Sequence, residues 1–195
     1  MSKQPEYLVD DPAQLRELGS PVRQALVDAA ASIGPCSISE LAEQLGRPSD
    51  GLYYHVRALL EVGLLVEAGT RATTRRDETL YDTPTRGILR LAYRPGDPEN
   101  VTAITRIVGG MLRDAERDFA SGFTQQLAVT SGPQRTLTAS RQRGWLTRDQ
   151  RAEVNGLLLR LQQIFDEARP GEGTSLQSLT LVLAPIEARA ARRGE

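Results

Sequence analysis

The sequence has very few of the residues that build metal sites and catalytic centres. Among 195 residues there is one cysteine, Cys36, and one histidine, His55. A single cysteine excludes an internal disulfide and any metal site built only from cysteines of one chain. Zinc and similar metals need several nitrogen or sulfur ligands. We therefore expect no metal site and no cofactor, and we expect Cys36 to be a small apolar filler.

The chain also lacks the patterns that are common in enzymes and membrane proteins. A catalytic triad or a histidine acid would have to recruit His55, and no GxxxxGK[ST] phosphate loop occurs. No apolar run approaches the roughly 18–20 residues that cross a bilayer, and the first residues lack the apolar segment of a signal peptide. These absences predict a cytoplasmic protein that has no catalytic residues and does not associate with membranes.

Charge is nearly balanced overall but unevenly distributed. The net charge is −1, and the mean hydropathy of −0.35 is ordinary for a globular chain. Residues 47–76, however, carry five arginines against three carboxylates. Guanidinium groups suit phosphate oxygens and guanine edges, so this local excess favours a nucleic-acid partner at that segment.

Residues 36–67 have the pattern of a helix-turn-helix followed by a wing. Ser37 and Glu40 form a capping box that begins a helix, and Gly46 supplies the left-handed residue that ends it. Ser49 is predicted to be the N-cap of a second helix over about 50–62, which Gly63 closes. This order of elements is typical of domains that place one helix in a DNA major groove.

The flanking segments complete that predicted domain. Asp11-Pro12 and Ser20-Pro21 each begin a helix. After the helix-turn-helix, strands are predicted at 64–69 and 79–83, joined by a polar, arginine-rich loop at 70–77. This hairpin would be the wing.

The remainder of the chain is predicted to form a smaller α+β domain. A long helix begins at Pro98 and ends near Phe123, after the boundary signal of residues 95–98. A second capping box, Thr147 with Gln150, begins another helix that should bury its apolar face. Weaker patterns predict strands at 136–146 and 176–184. The stripe of the long helix is Val101, Ile104, Val108, Met111, Leu112, Ala115, Phe119 and Phe123, and that of the later helix is Val154, Leu157, Leu158, Leu161, Ile164 and Phe165.

The stripe of the long helix has two interpretations. It is either core within one chain or a surface that packs on the same helix of a second subunit, and we prefer the second. The predicted fold is thus mostly α with a β-wing. Its parts are a winged helix-turn-helix domain at 8–84, a connector at 85–97, a dimerisation and candidate effector domain at 98–188, and a tail at 189–195.

Four stretches resemble the ArsR-type winged-helix transcriptional regulators. They are residues 18–23 (LGSPVR), 39–46 (SELAEQLG), 52–59 (LYYHVRAL) and 61–65 (EVGLL), and the resemblance extends over about 15–83. It implies a homodimer that binds an operator until an effector or a partner releases it. Metal-sensing members use a cysteine pair near the first helix of the motif, or His and carboxylate ligands on a C-terminal helix. With only Cys36 and His55, this chain resembles the metal-independent branch, carrying an added C-terminal domain.

One face of the second helix of the motif is predicted to bind DNA. Leu52, Val56, Leu59 and Leu60 recur on the opposite face and should anchor the helix to the core. Arg57 could contact guanine or phosphate. Open alternatives are a tyrosine packed under the wing, a structural His55 and a solvated wing loop. The predicted DNA-binding residues are Ser37, Arg47, Ser49, Asp50, Gly51, Tyr53, Tyr54, His55, Arg57, Arg71, Thr73, Arg75 and Arg76.

The predicted function is a sequence-specific regulator of transcription. It would be a homodimeric repressor that binds double-stranded DNA at an inverted repeat, with the dimer formed by the helix over 98–123 and a small apolar effector as a candidate ligand. The alternative is a winged helix that acts as a protein-interaction module and does not itself contact DNA.

Overall fold

The computed structural model describes residues 6–74, 77–85, 89–124 and 128–187, and the predicted, mostly helical fold with a β-wing is confirmed. In these ranges the chain forms six α-helices and two sheets of two strands. None of these helices is both long and apolar enough to span a membrane. In chain order the elements are β1 Tyr7–Val9, α1 Pro12–Leu18, α2 Pro21–Ile33, α3 Ile38–Leu45, α4 Tyr53–Glu61, β2 Val66–Arg71, β3 Glu78–Asp82, β4 Leu89–Leu91, α5 Pro98–Thr124 and α6 Arg148–Glu167.

The first two helices begin at the predicted residues. Asp11 accepts a hydrogen bond from the Ala13 N–H at 2.8 Å, and Pro12 occupies the first position of α1. Pro21 occupies the same position in α2, but the side chain of Ser20 makes no capping hydrogen bond. Ser20 therefore lies at the N-cap position of α2, as predicted, but its hydroxyl does not cap the helix. The fixed backbone angle of Pro21 suits the first turn, and it marks this helix start without a side-chain cap.

The capping box of α3 is confirmed in both directions. The Ser37 hydroxyl accepts from the Glu40 N–H at 3.3 Å, and the Glu40 carboxylate accepts from the Ser37 N–H at 2.8 Å. Gly46 then adopts a left-handed conformation, with φ of 60°. This conformation ends the helix and turns the chain toward the next one, as predicted.

The second helix of the motif is divided into two pieces. Ser49–Gly51 forms a single 3-10 turn, and α4 begins only at Tyr53. No side chain caps either piece, and the Ser49 carbonyl instead accepts from the Leu52 N–H at 2.9 Å. The prediction that Ser49 caps a helix beginning at Asp50 is therefore wrong. A 3-10 turn is a common short entry to an α-helix, because its hydrogen bonds close after three residues.

The wing is an antiparallel hairpin, as predicted, with shifted ends. Val66 of β2 lies opposite Asp82 of β3, and Arg71 lies opposite Glu78. Residues 64 and 65 were assigned to the first strand but precede it, as buried leucines that fix the hairpin to the core. The loop between the strands includes Arg75 and Arg76, which lie outside the described residues.

A short parallel sheet was not predicted. β1 pairs with β4, so that Tyr7 lies opposite Leu89 and Val9 opposite Leu91. Strands of three residues are too short to show an alternating pattern in sequence. β4 lies inside the segment predicted as a connector, and its pairing joins that segment to the N-terminal part of the chain.

One buried cluster unites α1 to α4 with the first half of α5. Leu26, Leu41 and Leu59 are completely buried, and α5 contributes Ile104 and Ile107. The Gln24 amide donates hydrogen bonds to the carbonyls of Leu18 and Ile107, and these bonds connect α1, α2 and α5. The first half of α5 is thus part of the core of the helix-turn-helix domain.

The predicted apolar stripe of α5 is divided between two faces. Ile104 is buried in the core, whereas Val101, Leu112, Phe119 and Phe123 expose 44%, 52%, 38% and 56% of their surface. At about 100° per residue, these four side chains project within roughly 40° of one another. They form a continuous apolar ridge beside the buried face, which we call the α5 ridge.

The region after α5 differs most from the prediction. The capping box of α6 is confirmed, since Thr147 and Gln150 exchange both hydrogen bonds. The strands predicted at 136–146 and 176–184 are wrong, because these described residues lie in no strand. The predicted burial of the α6 stripe is also wrong, because no residue of α6 is buried and Leu157 is 60% exposed. No described strand lies beside this helix, and only its last turn lies near α2 and α5.

Candidate nucleic-acid interface

Helix α4 has one buried face and one exposed face, as predicted. Leu52, just before the helix, and Val56 are 2% exposed, and Leu59 is completely buried. Leu60 lies at the edge of the same cluster. These contacts fix the rotation of the helix about its axis, because the spacing of 52, 56, 59 and 60 matches one side of an α-helix.

The opposite face presents two aromatic rings and a guanidinium group. Tyr53 is 48% exposed, Tyr54 is 71% exposed, and the side chain of Arg57 is 81% exposed. Arg57 is paired with Glu61 at 3.1 Å, one turn further along the helix. The alternative in which a tyrosine packs under the wing does not describe Tyr54, which is the more exposed of the two.

His55 lies between the two faces and is half-buried. Its ring meets that of Tyr54 edge-on at a centroid distance of 5.5 Å, and its Nδ1 has no hydrogen-bond partner among the described residues. Burial, with Arg23 and Arg47 nearby, holds the pKa of His55 below its usual value. A lowered pKa favours the uncharged ring, which suits His55 less well to an ion pair with phosphate.

The predicted residues before α4 differ in their exposure. Ser37 is 2% exposed and its hydroxyl is used in the capping box, so it is not available to phosphate. Ser49 is half-buried, whereas Arg47, Asp50 and Gly51 are exposed. A Cβ at Gly51 would meet nothing within 4 Å. Packing within the chain therefore does not require glycine there, and the position leaves room for a partner.

The wing contributes a guanidinium group that already has carboxylate partners. Arg71 contacts Glu40 at 2.8 Å and Glu78 at 3.5 Å, and its side chain stays 44% exposed. The bond to Arg71 holds the pKa of Glu40 below its usual range. Local sequence patterns could not predict this link between the wing and the α3 capping box, because the two residues are 31 positions apart. Thr73, further along the wing, is exposed.

Metal-binding chemistry receives no support from the described part of the chain. No group of three or more His, Cys, Asp or Glu side chains comes together there to hold an ion. Cys36 is buried, and burial, with Glu40 and Asp82 nearby, raises the pKa of its thiol to about 11. The thiol is thus protonated at neutral pH and is a poor nucleophile or ligand, consistent with its interpretation as a small apolar filler.

Comparison with known proteins agrees with this geometry. Residues 18–68 match a family model described as a helix-turn-helix domain. The match extends from the end of α1 into β2, and therefore includes both helices of the motif and the turn between them. A search of curated proteins found no match to this chain. Helix-turn-helix domains are DNA-binding modules of transcription regulators and are typically not enzymes. The match therefore indicates DNA binding in transcription regulation.

Proposed function

We propose that this chain is a metal-independent regulator of the ArsR type, a homodimeric repressor that binds double-stranded DNA at an inverted repeat. One observation carries the proposal: α4 is anchored by Leu52, Val56 and Leu59 and exposes Tyr53, Tyr54 and Arg57. A helix held at the rim of a core by one side can insert its other side into a major groove. The match to a helix-turn-helix domain supports the same assignment.

Arg57 is the side chain best suited to contact a base or a phosphate. Its partner Glu61 is itself 63% exposed. Exposed ion pairs of this kind stabilise a helix by less than about 1 kcal/mol, so DNA can replace the carboxylate at little cost. A bidentate contact of Arg57 with guanine would discriminate between bases by about 1–3 kcal/mol.

The residues around Arg57 would fix the position of the helix on the duplex. Tyr53 and Tyr54 can donate hydrogen bonds to phosphates, and the exposed backbone at Gly51 allows close approach. We propose no direct contact for Ser37, which is buried, or for His55, whose half-buried ring has a lowered pKa. The remaining proposed contacts are Arg47, Ser49 and Asp50 before the helix, and Arg71, Thr73, Arg75 and Arg76 in the wing.

The α5 ridge supports the proposed dimer. Four large apolar side chains on one face of a 27-residue helix are an unfavourable surface in water, and a second copy of the same helix would cover them. Phe119 and Phe123 already stack edge-on at 5.4 Å, which gives the end of the ridge a defined shape. A twofold axis through the ridges would present the two α4 helices to one duplex.

The large accessible surface of the chain also supports a second copy of the chain as its partner. The chain exposes 14792 Å², whereas a compact monomer of 21.4 kDa exposes about 9,100 Å². The residues after α5 contribute much of the excess, including Trp145 at 90% and Leu176 at 70% exposure. Permanent dimers typically bury about 2,000–5,000 Å² in total, or about 1,000–2,500 Å² per chain, so a dimer would remove less than half of this excess. We propose 8–84 as the DNA-binding unit, 85–97 as the connector and 98–188 as the dimerisation unit, with the first half of α5 also packed into the core of the DNA-binding unit.

The proposal is tested by selecting bound duplexes from a random pool and measuring affinity for the selected site at several salt concentrations. We expect an inverted repeat whose half-sites are about 34 Å apart, and a steep loss of affinity with salt. Arg57→Ala should weaken binding at least about tenfold. Arg160→Ala, on the exposed surface of α6, is the matched control and should leave affinity unchanged.

Two outcomes would contradict the proposal. If no sequence is enriched and affinity does not depend on salt, the protein does not bind DNA specifically. If Arg57 can be replaced without effect on DNA binding but the charge reversal Arg57→Glu abolishes a complex with an acidic protein, the interaction-module alternative is favoured.

A further inference from the structure

A cleft lies on the side of α5 that faces α2. Its volume is about 810 Å³, and its walls are α2, the middle of α5 and the segment 165–180. This volume lies in the range of small-molecule sites. Ala25, Ala29 and Met111 form an apolar floor, and Phe165 and Leu179 close the other side. The cleft also reaches the end of α3 and the turn of the helix-turn-helix motif.

Four carboxylates are among the polar residues that line the cleft. Asp28 of α2 faces Asp114 and Asp118, which lie one turn apart on α5, and Asp166 lines the opposite wall. Desolvation by the surrounding protein, together with the charges of Asp114 and Asp118, raises the pKa of Asp28 to about 6. Two arginines also line the cleft, and one of them, Arg117, is paired with Asp114. With four carboxylates and two guanidinium groups, the cleft has an excess of negative charge that attracts cations.

Two buried acceptor atoms at the cleft have no hydrogen-bond donor. Gln24 is 5% exposed, and its Nε2 donates to the carbonyls of Leu18 and Ile107. Its Oε1 has no partner among the described residues, and neither does Oδ2 of Asp166. A buried acceptor without a donor costs about 1–3 kcal/mol. A ligand that brings N–H groups into the cleft would remove that cost.

We propose that this cleft binds a small organic cation that has an apolar body and a primary ammonium group. The apolar body would lie on the alanine and methionine floor and under Phe165. The ammonium group would lie among the carboxylates of Asp28 and Asp118, and its N–H groups would reach the unpartnered acceptors. A purely apolar ligand would leave both the charge and the acceptors uncompensated. Binding can be measured without DNA, so its failure would not bear on the proposed function.

The test uses three probes that share one naphthalene body and the full-length protein. We would measure binding of 1-naphthylmethylammonium, its N,N,N-trimethyl derivative and the neutral 1-naphthylmethanol by isothermal titration calorimetry. The primary ammonium should bind at least tenfold more tightly than the alcohol, because only the cation is attracted electrostatically by the carboxylates. It should bind at least threefold more tightly than the trimethyl derivative, because the latter has no N–H to donate.

Two variants locate the binding site. In Asp28→Asn/Asp118→Asn the affinity for the ammonium probe should fall at least tenfold, while that for the alcohol stays within threefold. Glu116→Gln, which removes a carboxylate from another face of α5, is the matched control and should change neither.

Several results would overturn the proposal. They are equal affinity for the cation and the alcohol, tighter binding of the trimethyl derivative, and full retention of the cation by the double variant. If the double variant melts early, the three probes on the unmodified protein still decide the question.

Discussion

Helices α3 and α6 begin with the same motif and have different environments. Each has a complete capping box, formed by Ser37 with Glu40 in α3 and by Thr147 with Gln150 in α6. Helix α3 buries Ile38, Leu41 and Ala42, whereas α6 buries nothing. Capping is a local interaction and can start a helix anywhere. Burial depends on other elements: α3 packs against α2 and the wing, whereas α6 lies near α2 and α5 only at its last turn, where Phe165 and Asp166 line a cleft.

The same contrast separates the two ends of α5. Its first half lies in the core through Ile104 and Ile107, and its second half carries the exposed pair Phe119 and Phe123. The N-terminal region therefore has a buried core, whereas the described part of the C-terminal region leaves much of its apolar surface exposed. This difference is the main reason for proposing a second copy, and each prediction below would sharpen it or break it.

The largest effect is expected from removing a core side chain. Leu59→Ala should lower the free energy of unfolding by about 2–5 kcal/mol, because Leu59 is completely buried. Leu157→Ala, at a position that is 60% exposed, should cost less than about 0.5 kcal/mol in dilute, monomeric protein. Denaturant titrations at low protein concentration measure both values. Equal losses of unfolding free energy in the two variants would mean that the N-terminal and C-terminal regions do not differ in how firmly they are packed.

A second prediction concerns the α5 ridge. Leu112→Ala/Phe119→Ala should raise the dimer dissociation constant at least about tenfold, because large apolar side chains at the buried centre of an interface are the ones whose truncation costs more than about 1 kcal/mol. Arg113→Ala, at an exposed position that projects about 100° away from Leu112 around the helix, should leave it unchanged. Sedimentation velocity over a concentration series is the measurement. A wild-type protein that stays monomeric at all concentrations would refute the ridge as an interface.

The two capping boxes provide a third comparison, with a smaller effect. Ser37→Ala should lower the free energy of unfolding by about 1 kcal/mol, because α3 is part of the cooperative core. Thr147→Ala should reduce helix content seen by circular dichroism but leave the main unfolding transition of dilute protein in place. The comparison fails if Thr147→Ala shifts that transition as much as Ser37→Ala does.

The smallest effect concerns Asp28. Its pKa is raised from 3.8 to about 6 in the folded protein, so the folded state holds the proton more tightly than the unfolded state does. The resulting stability is fully present below about pH 4 and is lost as the pH rises through about 6. The side chain keeps an exposed surface, so solvent screening will make the loss small. Asp28→Asn should flatten the pH dependence of the unfolding free energy between 4 and 6, and an unchanged slope would contradict the assignment.

Much of the N-terminal domain could be predicted because its signals are local. The capping box at Ser37, the left-handed Gly46 and the spacing of Leu52, Val56 and Leu59 each act over a few residues, and all three are found in the structure. The predicted start of α4 at Asp50 was wrong because Ser49 and Asp50 favour a turn as readily as a helix cap.

The features that sequence reasoning missed depend on distant parts of the chain. The pairing of β1 with β4, the ion pair of Arg71 with Glu40 and the cleft beside Asp28 all join residues far apart in sequence. The alternation at 176–184 is a correct local pattern, but a strand needs a partner, and none lies beside it in the described structure. For each exposed side chain of α4, contact with DNA remains a prediction.

The most direct test of the account is photo-crosslinking from α4 to a selected duplex. A benzophenone side chain in place of Tyr54, which is 71% exposed, should form a crosslink to a base inside the selected site. The same group in place of Leu157, which is 60% exposed on α6, should form none. Crosslinks only from position 54 would agree with an α4 that enters the groove. No crosslink from position 54, or equal crosslinking from both positions, would contradict it.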